Sequence, residues 1–393
     1  MRVSVNRRML PAKSFYFFYY AAAASLAPFL VLYYEHLGLS GSQIGVLTGV
    51  LPLVTLFSAP LWGGAADARN RHRTALSLAI AGTMAAVLLL STARSFLALI
   101  PVIITYGIFV APIAPLADNA VLAMLGSRKS EYGRHRLWGS VGWGLSAPLV
   151  GELTEHTGLQ WIFYVYVPVL FMALLAARRL PLEEAPLRQP FWRNLRVMLA
   201  SRQLVLLLAT VFTAGATLGI VGNYLFLYMD GLGASNTLMG LALTMATISE
   251  MVVLFFSDRL LGRWSARTLV AFALLACAVR AFSYSIVGAA WVVLLIQLLH
   301  GPTFATMWMA SVYYADQLAP QGMGATAQGL LASVMIGLGN AAGGFFGGLL
   351  YDSVGPVSMF RWTAAAVLAA MVVLLAGDRR ARRIAVAPGK VGP

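Results

Sequence analysis

Residues 14–34 read SFYFFYYAAAASLAPFLVLYY, a stretch without one charged group. A helix needs about 20 mostly apolar residues to cross a bilayer, so this stretch alone is long enough. Eleven runs of similar character follow, at 43–65, 74–92, 96–124, 135–154, 159–177, 203–229, 236–257, 267–286, 291–315, 325–350 and 357–376. Composition points the same way. Of 393 residues, 60% are hydrophobic and 11% charged, against roughly 25% charged in a soluble domain. Too few polar groups remain to cover a water-facing surface. The expected fold is an all-α membrane protein with twelve transmembrane helices.

The charges fall at the ends of these runs. Basic residues occupy the N-terminus (Arg2, Arg7, Arg8, Lys13), the second–third connection (Arg69, Arg71, Arg73) and the fourth–fifth (Arg128, Lys129, Arg134, Arg136). They recur between the eighth and ninth runs (Arg259, Arg263, Arg267), between the sixth and seventh, and in the tail. Only Arg94, Arg280 and Arg361 among the 28 Lys and Arg residues lie elsewhere. The opposite connections hold Glu35, Glu152, Glu155, Asp230 and Asp352. Excess Lys and Arg mark the cytoplasmic side, so both termini are expected in the cytoplasm, which requires an even helix count. A net charge of +14 divided among six loops makes no nucleic-acid groove. The first run is long enough to span, so no cleavable signal peptide is expected. The lone Cys277 has no disulfide partner and reads as packing.

One connection is long. Residues 178–202 contain Pro181, Pro186 and Pro190 among charged residues, and read as a cytoplasmic linker carrying an amphipathic surface helix from Phe191 to Leu199. A repeat supports a division there. Gly38-Leu39-Ser40-Gly41-Ser42-Gln43-Ile44-Gly45 recurs, 195 residues later, as Gly233-Ala234-Ser235-Asn236-Thr237-Leu238-Met239-Gly240. Arg73-Thr74 recurs at nearly the same offset as Arg267-Thr268. The expected organisation is two pseudo-symmetric six-helix bundles, 1–177 and 203–378, joined by the 178–202 linker and followed by a basic tail, 379–393. Transporters built from such halves place substrate between them near the bilayer midplane.

Ionisable groups inside spans cost at least about 2.5–3.5 kcal/mol on insertion scales, so they are the first functional candidates: Asp118, Arg136, Glu250, Arg280 and His300. The turn near Ser127 is nine residues from both Asp118 and Arg136. At about 1.5 Å per residue the two stand level on antiparallel neighbours, able to pair. The same counting places Glu250, Arg280 and His300 level with one another at the midplane. These groups either bind substrate and relay a proton, or form buried ion pairs that only fix helix register. Gly63 to Arg73, with Gly63, Asp67 and Arg71, reads as a conformational latch whose glycines let helix ends approach. The glycines from Gly337 to Gly348 read as close helix packing. Tyr16, Tyr20, Trp143, Tyr224 and Trp308 could stack on a ring. Phosphate-binding loops, dinucleotide fingerprints, zinc spacings and Ser-His-Asp signatures are missing from the sequence, so no enzyme, metal or cofactor is expected.

Glu131-Tyr132-Gly133-Arg134-His135-Arg136-Leu137-Trp138-Gly139-Ser140-Val141-Gly142-Trp143, with the Gly63–Arg73 loop, resembles the major facilitator superfamily over nearly the whole chain. The resemblance is closest to the lactose permease-like proton symporters, which include phenylpropionate and nucleoside permease-like members. It implies a substrate site at Asp118, Arg136 and Trp143, with Asn119 and Tyr20 beside them. It implies proton coupling at Glu250, Arg280 and His300. Two positions depart from the pattern: Thr303 stands where the family has an acid, and Gln297 where it has a lysine. Either Glu250 or Asp118 is then left to carry the proton.

The expected function is proton-coupled symport of a small organic solute, such as a sugar, nucleoside or aromatic carboxylate, by alternating access. A proton-driven antiporter exporting a drug or metabolite is the alternative, with a non-transporting receptor third. The expected partners are a small-molecule substrate and the lipid bilayer, with no nucleic acid. The chain is expected to act as a monomer in a bacterial inner membrane.

Overall fold

The computed structural model describes residues 9–69, 71–180, 199–320 and 323–386, and every element among them is helical. An N-terminal set comprises α1 (Leu10–His36), α2 (Gly41–Arg69), α3 (His72–Leu90), α4 (Phe96–Val110), α5 (Ile113–Leu125), α6 (Tyr132–Thr157) and α7 (Trp161–Ala177). A C-terminal set begins with α8 (Arg202–Gly231), α9 (Asn236–Phe255), α10 (Ser257–Arg263) and α11 (Ala266–Tyr284). It continues with α12 (Val292–Ile296), α13 (Thr306–Leu318), α14 (Gly324–Ala332) and α15 (Asn340–Val386). The expected surface helix from Phe191 lies outside the described residues up to Leu199, as do Arg2, Arg7, Arg8 and residues 387–393.

Nine stretches among the described residues are long and apolar enough to cross a membrane. One of them, Thr326–Val373, runs for 48 residues and bends at Gly355, whose φ of 78° is non-helical and which Pro356 follows. The shorter α7 is apolar over 17 residues. The 26-residue α6 carries the Trp- and Arg-bearing motif. At about 1.5 Å per residue it is longer than the roughly 30 Å hydrocarbon core.

Three expected helices are interrupted, one of them, 325–350, by a π segment (Ser333–Gly339) between α14 and α15. The run 96–124 breaks at Ala111 and Pro112, between α4 and α5. The run 291–315 passes from α12 through a short 3₁₀ turn (Gln297–Leu299) and a π-turn (Gly301–Ala305) into α13. Proline has no N–H for the i−4 carbonyl, and the chain widens around Pro302 as a π-bulge.

The internal repeat has a structural meaning at each of its positions. Gly38 and Gly233 end α1 and α8 with φ of 79° and 74°, a conformation glycine adopts without a Cβ clash. The hydroxyls of Ser40 and Ser235 then accept from the N–H of Gln43 and Leu238, capping the next helix. The last glycines pack against the opposite set. A Cβ on Gly45 would lie 2.9 Å from the Gly344 carbonyl oxygen, and one on Gly240 would lie 2.5 Å from that of Ala147.

Between cap and packing glycine sit Ser42 and Thr237, and each is gripped by acids of the other set. Asp352 accepts from the Gly41 N–H at 2.7 Å, the Ser42 N–H at 2.7 Å and the Ser42 hydroxyl at 2.6 Å. The Thr237 hydroxyl lies 2.8 Å from both Glu152 and Glu155, and the Thr237 N–H donates to Glu155 at 3.3 Å. Carboxylates at helix N-termini are favoured by the orphan N–H groups and the helix dipole. Reciprocal clamps therefore seal one end of the interface, where α2 meets α15 and α6 meets α9.

The glycine contacts set the closest approach at this sealed end. Gly240→Leu forces a side chain into the Ala147 backbone, an overpacking cost of about 1–3 kcal/mol. In a Cys277→Ser background, spin labels at Ser40 and Ser353 are expected to move apart in the Gly240→Leu variant. Distances unchanged from the parent would show that the contact does not limit closure.

Candidate functional site

A cavity of about 580 Å³ lies between the two sets, with Tyr20, Arg136 and Trp143 on one side and Glu250, Arg280, Gln297, His300 and Phe304 on the other. Its volume is that of a small-molecule site.

On the N-terminal side, α1 presents Tyr16 and Tyr20 one turn apart. Tyr20 accepts a short hydrogen bond from the Arg136 guanidinium, whose central carbon lies 4.0 Å from the Tyr20 ring centre and 5.5 Å from that of Tyr16. The Tyr16 hydroxyl donates to Asp118 at 2.7 Å. The expected Asp118–Arg136 ion pair is absent: the two tyrosines stand between acid and base and take one each. Counting residues from a single turn assumed straight helices. The 3₁₀ segment Gly126–Glu131, where Gly126 has φ 55°, stands where the count took a single tight turn. Asp118 and Asn119 do not line the cavity, whereas Tyr20, Arg136 and Trp143 do. Gly139, which the sequence reading did not single out, makes the arrangement possible. A Cβ there would lie 2.6 Å from the Tyr20 ring and 2.8 Å from Arg136 Nη1.

On the C-terminal side, Glu250, Arg280 and His300 come together as counted. Arg280, only 4% exposed, donates to His300 Nδ1 at 3.0 Å, Thr303 Oγ1 at 3.2 Å, Gln297 Oε1 at 2.5 Å and Tyr284 Oη at 3.1 Å. All four are uncharged acceptors. An arginine has no lone pair to offer, so His300 Nδ1 must accept and the neutral ring carries its proton on Nε2. That nitrogen lies 3.8 Å from Glu250 Oε2, with both side chains 22% exposed. Glu250 and Arg280 are thus connected through an oriented imidazole, not by direct contact. Thr303 completes the shell, donating its own proton to the Leu299 or His300 carbonyl.

Ser249 holds this assembly together, a role that no sequence pattern marks. Pro302 cannot donate to the Leu298 carbonyl four residues earlier. The Ser249 hydroxyl donates to that carbonyl instead, in a short bond, and accepts from the Gly301 N–H at 3.1 Å. The neighbour of Glu250 is thereby fastened to the backbone on both sides of His300.

The expected latch is arranged differently. Asp67, near the end of α2, pairs at 2.7 Å with His72 at the start of α3. A Cβ on Gly63 or Gly64 would meet nothing within 4 Å, so these glycines do not serve close approach. Arg71 is exposed. The later glycines do serve it: Gly339 and Gly343 lie against α8, Gly344 and Gly348 against α2.

Removing the Ser249 hydroxyl leaves the Leu298 carbonyl without a partner, a cost of about 1–3 kcal/mol. Ser249→Ala is expected to lower the unfolding temperature in detergent. Ser283→Ala, whose hydroxyl folds back on its own helix, is expected to change it little. Equal effects of the two would refute the role given to Ser249.

Residues 9–362 match the model of the MFS_1 like family. The chain is 31% identical over 374 residues to a maltose permease of Geobacillus stearothermophilus, covering 93% of each protein. It is 23% identical to a protein described as a probable 3-phenylpropionic acid transporter of Escherichia coli (strain K12), covering 84% of this chain and 87% of that one. Among solved structures, the nucleoside transporter NupG superposes with a TM-score of 0.83 at 15% identity, over 95% of this chain and 99% of that one. That likeness shows the fold. The chain belongs to the MFS_1 like family of major facilitator transporters and is a multi-pass membrane transporter, not an enzyme.

Proposed function

We propose that the chain is a proton-coupled symporter of a small organic solute, working by alternating access, with Glu250 as the proton carrier. The arrangement of Glu250 carries this reading. Its carboxylate faces the cavity, is reachable at 22% side-chain exposure, and is linked through His300 to a buried arginine that already has four neutral partners. Protonating Glu250 removes a charge from a low-dielectric cavity and lowers the cost of moving the cavity through a closed state. His300 is poorly placed to take the proton itself, because a proton on Nδ1 would displace Arg280.

The nine apolar stretches, with α6, α7 and the division at Gly355, make twelve spans. With both termini in the cytoplasm, the end sealed by the Asp352 and Glu152–Glu155 clamps faces outward, and the conformation is inward-facing. Residues 1–177 and 203–378 are the halves that rock about the cavity, joined by the 178–202 linker. Arg136, Tyr20 and Trp143 hold the solute. Asp118 acts behind them by fixing Tyr16, with Asn119 beside it. The transporter works as a monomer in a bacterial inner membrane, and the proton is its only coupling agent.

In proteoliposomes containing a pH dye, a panel of maltose, nucleosides and aromatic acids is expected to include a solute that drives proton influx. In Glu250→Gln that influx falls to background. Solute flux with no proton movement, unchanged in Glu250→Gln, would leave a uniporter with a structural acid and overturn the coupling role.

A further inference from the structure

Arg136 is charged and its guanidinium is poorly satisfied by the protein. Among the described residues its one hydrogen bond goes to Tyr20, and it stacks against the faces of Tyr16 and Tyr20. An arginine has five N–H donors, so most of the guanidinium edge faces the cavity without an acceptor. Two acids lie within electrostatic reach: Asp118 accepts from Tyr16, and Glu250, across the cavity, stands beside His300. Tyr132, packed edge-on against Tyr16 at 6.4 Å, offers no negative charge near neutral pH.

Across the cavity the accounting is the reverse. Arg280 is satisfied by neutral groups, and Glu250 points at His300. The charged side chains lining the cavity are Arg136, Arg280 and Glu250. Their sum is positive with Glu250 ionised and more positive with it protonated. Such a cavity favours an anion, and favours it more strongly once the proton is bound. Trp143, Tyr20 and Phe304 supply aromatic walls.

We infer that the solute is a monocarboxylic acid with an apolar or aromatic body, bound as the anion with its carboxylate on Arg136. The inference rests on the transport reading above and narrows it. Guanidinium and carboxylate match in a two-pronged hydrogen-bonded pair, among the strongest such contacts. Proton and anion then bind cooperatively through charge alone: each makes room for the other, and by linkage the effect is mutual. One anion moving with one proton carries no net charge, so uptake follows the pH gradient and ignores membrane potential. A neutral sugar moving with a proton would be driven by both.

The probes are 3-phenylpropionate, its neutral amide and maltose, tested by calorimetry on the purified full chain. The acid is expected to bind at least about tenfold more tightly than the amide, the advantage of a charge-assisted pair. Its affinity should rise as pH falls from about 8 to about 6 while the acid itself stays ionised. Arg136→Gln should erase the preference for the acid, and Arg136→Lys should restore part of it, which excludes misfolding as the cause. In proteoliposomes clamped with potassium and valinomycin, uptake of the acid should not respond to potential.

Equal binding of acid and amide, unchanged acid binding in Arg136→Gln, potential-driven uptake of the acid, or maltose as the ligand that depends on Arg136 would each overturn the inference. Maltose-driven proton influx that needs Glu250 would overturn it while leaving the coupling reading intact. Arg136-dependent acid binding without Glu250-dependent proton movement would do the opposite.

Discussion

The chemistry of the cavity is organised by one buried charge. Arg280 cannot be neutralised, lies almost wholly out of water and has no carboxylate in contact with it. A charge in that position is tolerated when its N–H groups are given acceptors. Tyr284 from its own helix, Gln297, His300 and Thr303 provide them. Satisfying the arginine fixes the imidazole tautomer, and the tautomer aims an N–H at Glu250. At 3.8 Å the acid stands just beyond a direct hydrogen bond to the ring and keeps an exposed face toward the cavity. A direct Glu250–Arg280 bridge would have locked the carboxylate in its charged form. Under the proposed symport, the imidazole spacer leaves it free to exchange a proton.

A second constraint acts at the sealed end. The hydrophobic effect does not drive helices together in lipid, so association depends on close packing and hydrogen bonds. The interface uses both, twice over. The glycines of α2 and α9 bring backbones into contact with the opposite set, and the acids of each set grip the repeated hydroxyl position of the other. These bonds engage N–H groups that any helix start must satisfy somehow, and water could do so when the clamp opens. The seal is thus strong in geometry and modest in net free energy, as a gate that must reopen requires.

Much of this was legible in the sequence, for physical reasons that also mark the limit. Uncharged runs longer than a bilayer cannot be hidden, and α1 matches its expected span closely. The Gly–Ser repeat encodes a helix stop, a cap and a packing contact in eight residues, so it was detectable without coordinates. The meeting of Glu250, Arg280 and His300 followed from counting along hairpins that stay in register. The same counting failed for Asp118 and Arg136, because a 3₁₀ segment stands where it assumed a single tight turn. Two tyrosines on α1, distant in sequence, could then come between them. Gly63 and Gly64 look like Gly142 and Gly151 in composition. Only the second pair abuts a neighbouring backbone, at Phe17 and Asn236.

The departures at Thr303 and Gln297 become intelligible together. Where the resemblance leads one to expect an acid and a lysine, the chain has two neutral groups that both accept from Arg280. The changes cancel in charge, since one removes a negative group and the other a positive one. Arg280 keeps four hydrogen bonds, each to a neutral acceptor. What does not cancel is the titration chemistry. With a hydroxyl at 303 committed to a backbone carbonyl and to Arg280, that position cannot hold a mobile proton. Asp118 lies outside the cavity behind Tyr16. The carboxylate that remains in contact with the cavity is Glu250, so under the proposed symport the substitutions that preserve the electrostatic balance leave coupling to it.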